Sequence, residues 1–236
     1  MDLSEDIKIE FIDNPEVVSQ DNVYEMKGMK CQMRYLERSD GSCAYSHGGS
    51  TIVCSVNGPG DLNKDFRDEA KMFVDISVAT ASNKEGKSHL QVQLLPIVSG
   101  ALLLENKPRS RLAISVLEME KGGSVYSEAL NAICLALLDH GIELKHQFCG
   151  VTLVKQKDSD TFIANPTLKQ FQEADNVFQL AFKPSIMKGA DLIGMECYGQ
   201  FSFDTFQAAV TEGTATALNI FGFFREIVEK THTIGV

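Results

Sequence analysis

The stretch SEALNAICLALLDHG, residues 127–141, constrains the fold of this chain more than any other segment. It has helical spacing and is apolar nearly all round, and a soluble helix of that kind must be buried on several sides. Gly122-Gly123-Ser124 leads into it and Gly141 stops it. It is therefore expected to be the central helix of the fold. A chain of 236 residues can bury a core around it, in one domain or in two closely fused halves.

The flanking segments read mostly as strands. MRYLE, CAYSHG and STIVCSVNG give short β runs, with Asp40-Gly41 as one hairpin signal and Gly48-Gly49 as a second. In MFVDISVAT (72–80) the side chains alternate, with Phe73, Asp75, Ser77 and Ala79 on one face and Met72, Val74, Ile76 and Val78 on the other, which reads as one buried and one wetter face. Residues 88–105 change period, and Leu90, Leu94, Ile97, Val98, Ala101 and Leu104 make a helical stripe. A mid-helix proline costs about 3 kcal/mol, so Pro96 predicts a helix beginning near Leu94 or Leu95. RLAISVLEME (111–120) is a strand.

After the central helix, FCGVTLV, TFIANP, VFQLAF and DLIGMECYG are four strand candidates. The chain closes with a helix from about Asp204 to Lys230, its stripe formed by Phe206, Val210, Gly213, Ala217, Ile220, Phe224 and Ile227, with Asp204 as the N-cap. The order of elements predicts an α+β architecture.

Charge divides the chain. Residues 1–30 hold eight acids against three bases, half of the net −10, and read as an acidic arm whose strand-like piece is IKIEFI (7–12). Residues 31–236 read as a single domain. The start lacks the basic and apolar regions of a secretory signal, and no 18-residue apolar run exists, so an intracellular protein without a membrane span is expected. The six cysteines lack C-x-x-C spacing and mostly lie in apolar runs, where they serve as small buried hydrophobes. Unaided nucleic-acid binding is disfavoured, since only six arginines occur, at 34, 38, 67, 109, 111 and 225, and no lysine run exists.

Several strings, in order, resemble the ribonuclease PH family and its relatives in the exosome ring. DGSCAYSHGGSTIVCSVNGPG (40–60) resembles the family's opening hairpin, and NKPRSRLAISVLEMEKGG (106–123) its Pro-Arg strand and Gly-Gly turn. ALNAICLALLDHGIELKHQFCGVTLV (129–154) resembles its buried helix and following strand, and ANPTLKQFQEADNVFQLAF (164–182) its D-P-T segment. The resemblance covers about residues 31–230. It implies a ribonuclease PH fold, with mixed sheets packed on the buried helix and the long C-terminal helix. It further implies a hetero-oligomeric ring of six related subunits around an RNA channel, with cap subunits that bind RNA. In the cell that places the chain in nucleus, nucleolus and cytoplasm, in 3′-to-5′ processing and degradation of RNA, ribosomal RNA included.

The family chemistry is phosphorolysis, in which phosphate meets a phosphodiester. Two anions must approach, which needs cations and backbone N–H groups beside a carboxylate. In active relatives the Gly-Gly turn continues with an arginine that clamps phosphate at the helix start. Here Val125 takes that position, and Glu118, Glu120 and Glu128 are near in sequence. Asn165 replaces the first aspartate. Downstream, matching the apolar strand puts Asn176 on the usual aspartate position, whereas matching the letters E-A-D puts Asp175 there, with Glu173 nearby. The RNA-facing helix keeps Lys87 and His89 but has Gln91 and Gln93 where cations would serve. The resemblance thus implies a non-catalytic subunit with no catalytic, cofactor-binding or metal residue. The alternatives left open are an exoribonuclease, phosphorolytic or metal-dependent, rebuilt around Asp175, Glu173 and Lys87, and an adaptor unconnected with RNA.

Other polar residues have plainer expectations. His47 is expected exposed in its hairpin turn, and His140 to meet the negative end of the helix dipole. Lys145 and His146 are expected solvated before a strand. Asp139 and Glu143 flank the Gly141 stop without an identifiable partner, and Lys155 and Lys157 form a charged hairpin tip.

Overall fold

A computed structural model describes residues 23–26, 28–61, 70–79, 89–123, 125–157, 159 and 161–233. The strand-like IKIEFI segment lies outside them. Ten strands occur among these residues: β1 (Val23–Met26), β2 (Met29–Met33), β3 (Gly41–His47), β4 (Ser50–Asp61), β5 (Phe73–Ala79), β6 (Ser110–Glu120), β7 (Cys149–Lys155), β8 (Ile163–Ala164), β9 (Asn176–Ser185) and β10 (Gly189–Tyr198). The α-helices are α1 (His89–Ala101), α2 (Val125–His140), α3 (Leu168–Gln172) and α4 (Phe203–Thr233). Two sheets result, one in the order β1-β2-β3-β4-β6-β5 and one in the order β10-β9-β7-β8.

The central helix is where its composition predicts. Every residue of α2 from Tyr126 to Leu137 is buried, and the two sheets close on it from opposite sides. Each approaches through a glycine. On β3, a Cβ at Gly41 would stand 2.7 Å from the Ala136 carbonyl; on β7, one at Gly150 would stand 2.6 Å from Ser127 Cα. Polar groups meet where the backbones are that close. Asn131 Oδ1 accepts from Gly150 N at 2.9 Å and its Nδ2 donates to Gly150 O at 3.2 Å. A buried amide with both ends bonded avoids the cost of an unpaired polar group. α4 lies on the far side of the four-stranded sheet, where Gly213 lets the helix meet Leu180 and Phe182. Strand β7 is consequently buried on both faces.

Several local expectations are corrected. α1 begins at His89 and carries Pro96 inside it. The ring frees the Val92 carbonyl, but Val92 and Pro96 are both on the exposed side, where water satisfies it, while Leu94, Val98 and Ala101 are buried. α4 is capped by Ser202, whose Oγ accepts from Thr205 N at 3.2 Å; Asp204 is in the first turn instead. Asp40-Gly41 is no hairpin tip, because a seven-residue connection separates β2 from β3. Gly48-Gly49 is a two-residue turn between β3 and β4, with both residues at positive φ. Val23–Met26, Met29 and Lys30, within the range read as a mobile or edge-lying acidic arm, lie at the β1 edge of the six-stranded sheet, which does not conflict with that reading. In β5 the alternation holds, with Val74 and Ile76 inward and Phe73 and Ser77 outward.

Candidate functional site

Three segments distant in sequence meet at the start of α2. They are the β3–β4 turn, the Gly122-Gly123 turn and the Asn165-Pro166-Thr167 corner. Contact is close enough to require glycine: a Cβ at Gly122 would press on Ser50, one at Gly123 on the Pro166 and Thr167 carbonyls, and one at Gly48 would reach Asn165 O at 2.9 Å. Asn165 takes a left-handed backbone (φ 50°), which asparagine tolerates better than most residues. Its N–H donates to Thr152 O at 2.9 Å. Thr167 then caps α3 in a reciprocal pair with Gln170.

His47 is not an exposed turn residue. It is partly buried, with Nε2 accepting from Asn165 Nδ2 at 3.3 Å and Nδ1 3.4 Å from the Tyr45 hydroxyl. Burial lowers its pKa from 6.5 to about 4, so the ring is neutral at physiological pH. At the helix start, Thr152 Oγ1 donates to Ser127 Oγ at 3.0 Å, which in turn donates to Glu128 Oε2 at 3.2 Å. Glu128 is fully buried in the first turn of α2. The positive end of the helix dipole thus faces the protein's own carboxylate. The side chains whose bonds define this corner are neutral or acidic. Ser124, also expected there, lies outside the described residues.

Asp175 and Asn176, the two alternatives for the family's aspartate position, have different surroundings. Asn176 begins β9, pairs with Lys155 and is buried. Its Nδ2 donates to Gln200 O at 2.9 Å. Gly199, at φ +101°, passes so close that a Cβ would collide with Asp175 O and Asn176 Nδ2. Asp175 is exposed and only its N–H is engaged, to Lys155 O at 3.1 Å. Glu173, at the end of α3, faces Lys169 at 3.9 Å on the surface.

Where α1 meets β10, His89 and Gln93 of the expected RNA-facing helix join two residues that the sequence did not single out, Glu196 and Tyr198. His89 Nε2 lies 2.9 Å from Glu196 Oε1 and 3.2 Å from Gln93 Nε2, and the Tyr198 hydroxyl also donates to Glu196. Burial would raise the Glu196 pKa, but hydrogen bonds from Tyr198 and His89 and the charge of His89 take it below the usual carboxylate value. Burial and the bond to Glu196 push Tyr198 up to about 12. No local pattern signals a pair 107 residues apart. Lys87 lies outside the described residues. Among the described residues, no three His, Cys, Asp or Glu side chains gather as metal ligands, and no helix is long and apolar enough to cross a membrane.

Asp139, Glu143, His140 and His146 have structural partners. Asp139 Oδ2 accepts from Ser42 N at 2.9 Å and Oδ1 lies 3.5 Å from Arg34; Glu143 accepts from Asn106. His140 is tied to β4: its Nε2 lies 2.6 Å from Gly58 O. His146 Nδ1 lies 3.0 Å from Gln147 O.

The glycine-lined corner, the central helix and the two sheets are those of a ribonuclease PH-type domain, and the model of the 3′ exoribonuclease family, domain 1, matches residues 25–143. The chain belongs to the ribonuclease PH family. It is 30% identical to the exosome complex component RRP46 homolog of Caenorhabditis elegans, over 87% of this chain and 95% of that protein. It is 22% identical to the exosome complex exonuclease RRP46 homolog of Arabidopsis thaliana, over 88% and 93%. The crystal structure of rice Rrp46 superposes with a TM-score of 0.79 at 22% identity, covering 87% of this chain and 96% of that one. These matches agree with a likeness to exosome component five, borne by Leu130-Asn131-Ala132 and the short segment after Asn165-Pro166-Thr167.

Proposed function

We propose that the chain is a non-catalytic, structural subunit of an exosome core ring, and that it supports 3′-to-5′ processing and degradation of RNA, ribosomal RNA included, by helping to build the RNA channel. The observation that carries this is the chemistry of the corner at the α2 N-terminus. Where active relatives clamp phosphate the chain has Val125, next to a buried Glu128 and a neutral His47. Matched by the apolar strand, the aspartate position of those relatives holds Asn176, whose amide is committed to Gln200; matched by the letters E-A-D, it holds the exposed Asp175. Losing one donor to transition-state charge costs about 3–4 kcal/mol, and on the strand-matched alignment the site lacks both the cation and the carboxylate. Partners on this reading are the related ring subunits and the RNA-binding cap subunits, with RNA met only through the assembled channel, in nucleus, nucleolus and cytoplasm.

The deciding experiment incubates the purified chain with labelled single-stranded RNA, with phosphate or with magnesium. No shortening of the RNA is expected. Phosphate-dependent release of nucleoside diphosphates, abolished by Asp175→Asn, would overturn the proposal. That outcome would favour the second reading, an active exoribonuclease, which the name of the Arabidopsis relative and the hydrogen-bonded His89–Glu196–Tyr198 group support.

A further inference from the structure

The turn between β9 and β10 breaks the rule that large apolar side chains avoid full exposure. Ile186 is 106% and Met187 94% exposed, and Lys188 follows them at the tip. The turn is not loose. Gly189, at φ +78°, lies against Leu218 of α4, so close that a Cβ there would stand 3.1 Å from the leucine side chain. The hairpin is thereby braced on the helix. Between them runs a groove of about 820 Å³, with Ile186, Leu218, Phe221 and Val228 among its walls and Arg225 and Glu229 on its border. Leu218 is itself 47% exposed. β10, beside the groove, is the end strand of its sheet among the described residues. A contiguous apolar surface with a polar border marks a protein-binding site, and bracing before contact removes part of the ordering cost.

Charge selects the occupant. Lys188 and Arg225 stand against Glu229 at this patch, so it is locally cationic on a chain of net charge −10. We propose that the β9–β10 turn and the α4 groove seat an apolar element of a neighbouring ring subunit that presents a carboxylate to Lys188 and Arg225. This rests on the structural-subunit reading and names the surface through which one neighbour is held. A head-to-tail ring needs such complementary, non-identical surfaces.

The test coexpresses the chain with the other ribonuclease PH-type exosome subunits of its organism. It compares wild type, an Ile186→Ser/Met187→Ser double variant and Lys188→Glu. Both variants are expected to enter the ring at least about tenfold less, the effect of losing interface anchors, with unchanged melting of the isolated chain. Zero-length carbodiimide coupling of the wild-type ring should join Lys188 to an Asp or Glu of one neighbour, an arm that needs no variant to fold. Undiminished incorporation, or a ring in which Lys188 couples to no neighbour, overturns the proposal. So does self-association of the isolated chain that the double variant abolishes, or sedimentation of the chain with phosphatidylserine vesicles through the same residues. A wild-type chain that enters no ring would instead sink the structural-subunit reading, and this inference with it.

Discussion

His140, the last residue of α2, donates from Nε2 to the carbonyl of Gly58 on β4 at 2.6 Å. The N–H of the same glycine donates to Asp40 Oδ2 at 2.7 Å. Two side chains, Asp40 from the segment before β3 and His140 from the end of α2, thus hold one residue of β4, and Gly41 packs beneath, where a Cβ would meet His140 Cβ at 2.5 Å. The Asp40-Gly41, Gly58 and Asp139-His140-Gly141 motifs form one structural joint.

Breaking the joint has a graded effect. His140→Ala removes one donor and is expected to cost about 1–2 kcal/mol, seen as a drop in Tm of about 2–8 °C for a chain of this length. Gly41→Ala forces a methyl group against backbone and should cost more than His140→Ala, given about 1–3 kcal/mol for overpacking alone. Thermal melting followed by circular dichroism ranks them. A Gly41→Ala protein as stable as wild type would contradict the packing described.

Asn131→Ala removes both bonds to Gly150 and leaves that residue's N–H and C=O buried without these partners. The expected loss is about 2–4 kcal/mol. Urea unfolding should show a lower midpoint with an unchanged slope, because the surface exposed on unfolding is the same.

His47 makes stability depend on pH in a defined direction. Its folded pKa, about 4, is below the unfolded value of 6.5, so between those values the unfolded chain binds the extra proton. The contribution is fully present above pH 6.5 and is lost as pH falls toward 4, with a slope of at most about 1.4 kcal/mol per pH unit. His47→Gln, which cannot take the proton, should flatten the curve over that window. Denaturant midpoints at half-unit pH steps report it.

Asn176→Asp would restore a carboxylate without restoring a site. The new oxygens would replace the amide that donates to Gln200 O and face that carbonyl in a buried setting. A loss of about 2–4 kcal/mol near neutral pH is expected, relieved on acidification as the carboxyl protonates and can donate. Chemical denaturation at pH 7 and pH 5 tests this; a variant equally stable at both values would show that Asn176 is not held as described.

Local pattern was enough for most of the elements and their order, but not for β1 or α3, nor for β2, which ends at Met33 where the MRYLE run begins. The apolar surround of residues 127–141 required a buried helix, the two-residue period of 72–80 a strand with one wet face, and the 206–227 stripe a long amphipathic helix. The motif order was enough for the family. These are short-range properties, set by which neighbouring side chains share a face. Partnership across the chain was decided only by tertiary closure: which glycine needs its missing Cβ, that Asn131 holds Gly150, that His47 is enclosed, and that Glu196 meets His89. Pro96 belongs with these, because its cost depends on whether water reaches the Val92 carbonyl. Which of Asp175 and Asn176 is buried went the same way, since a one-residue shift at the start of β9 separates an exposed side chain from a buried one, and pairing with Lys155 sets that register.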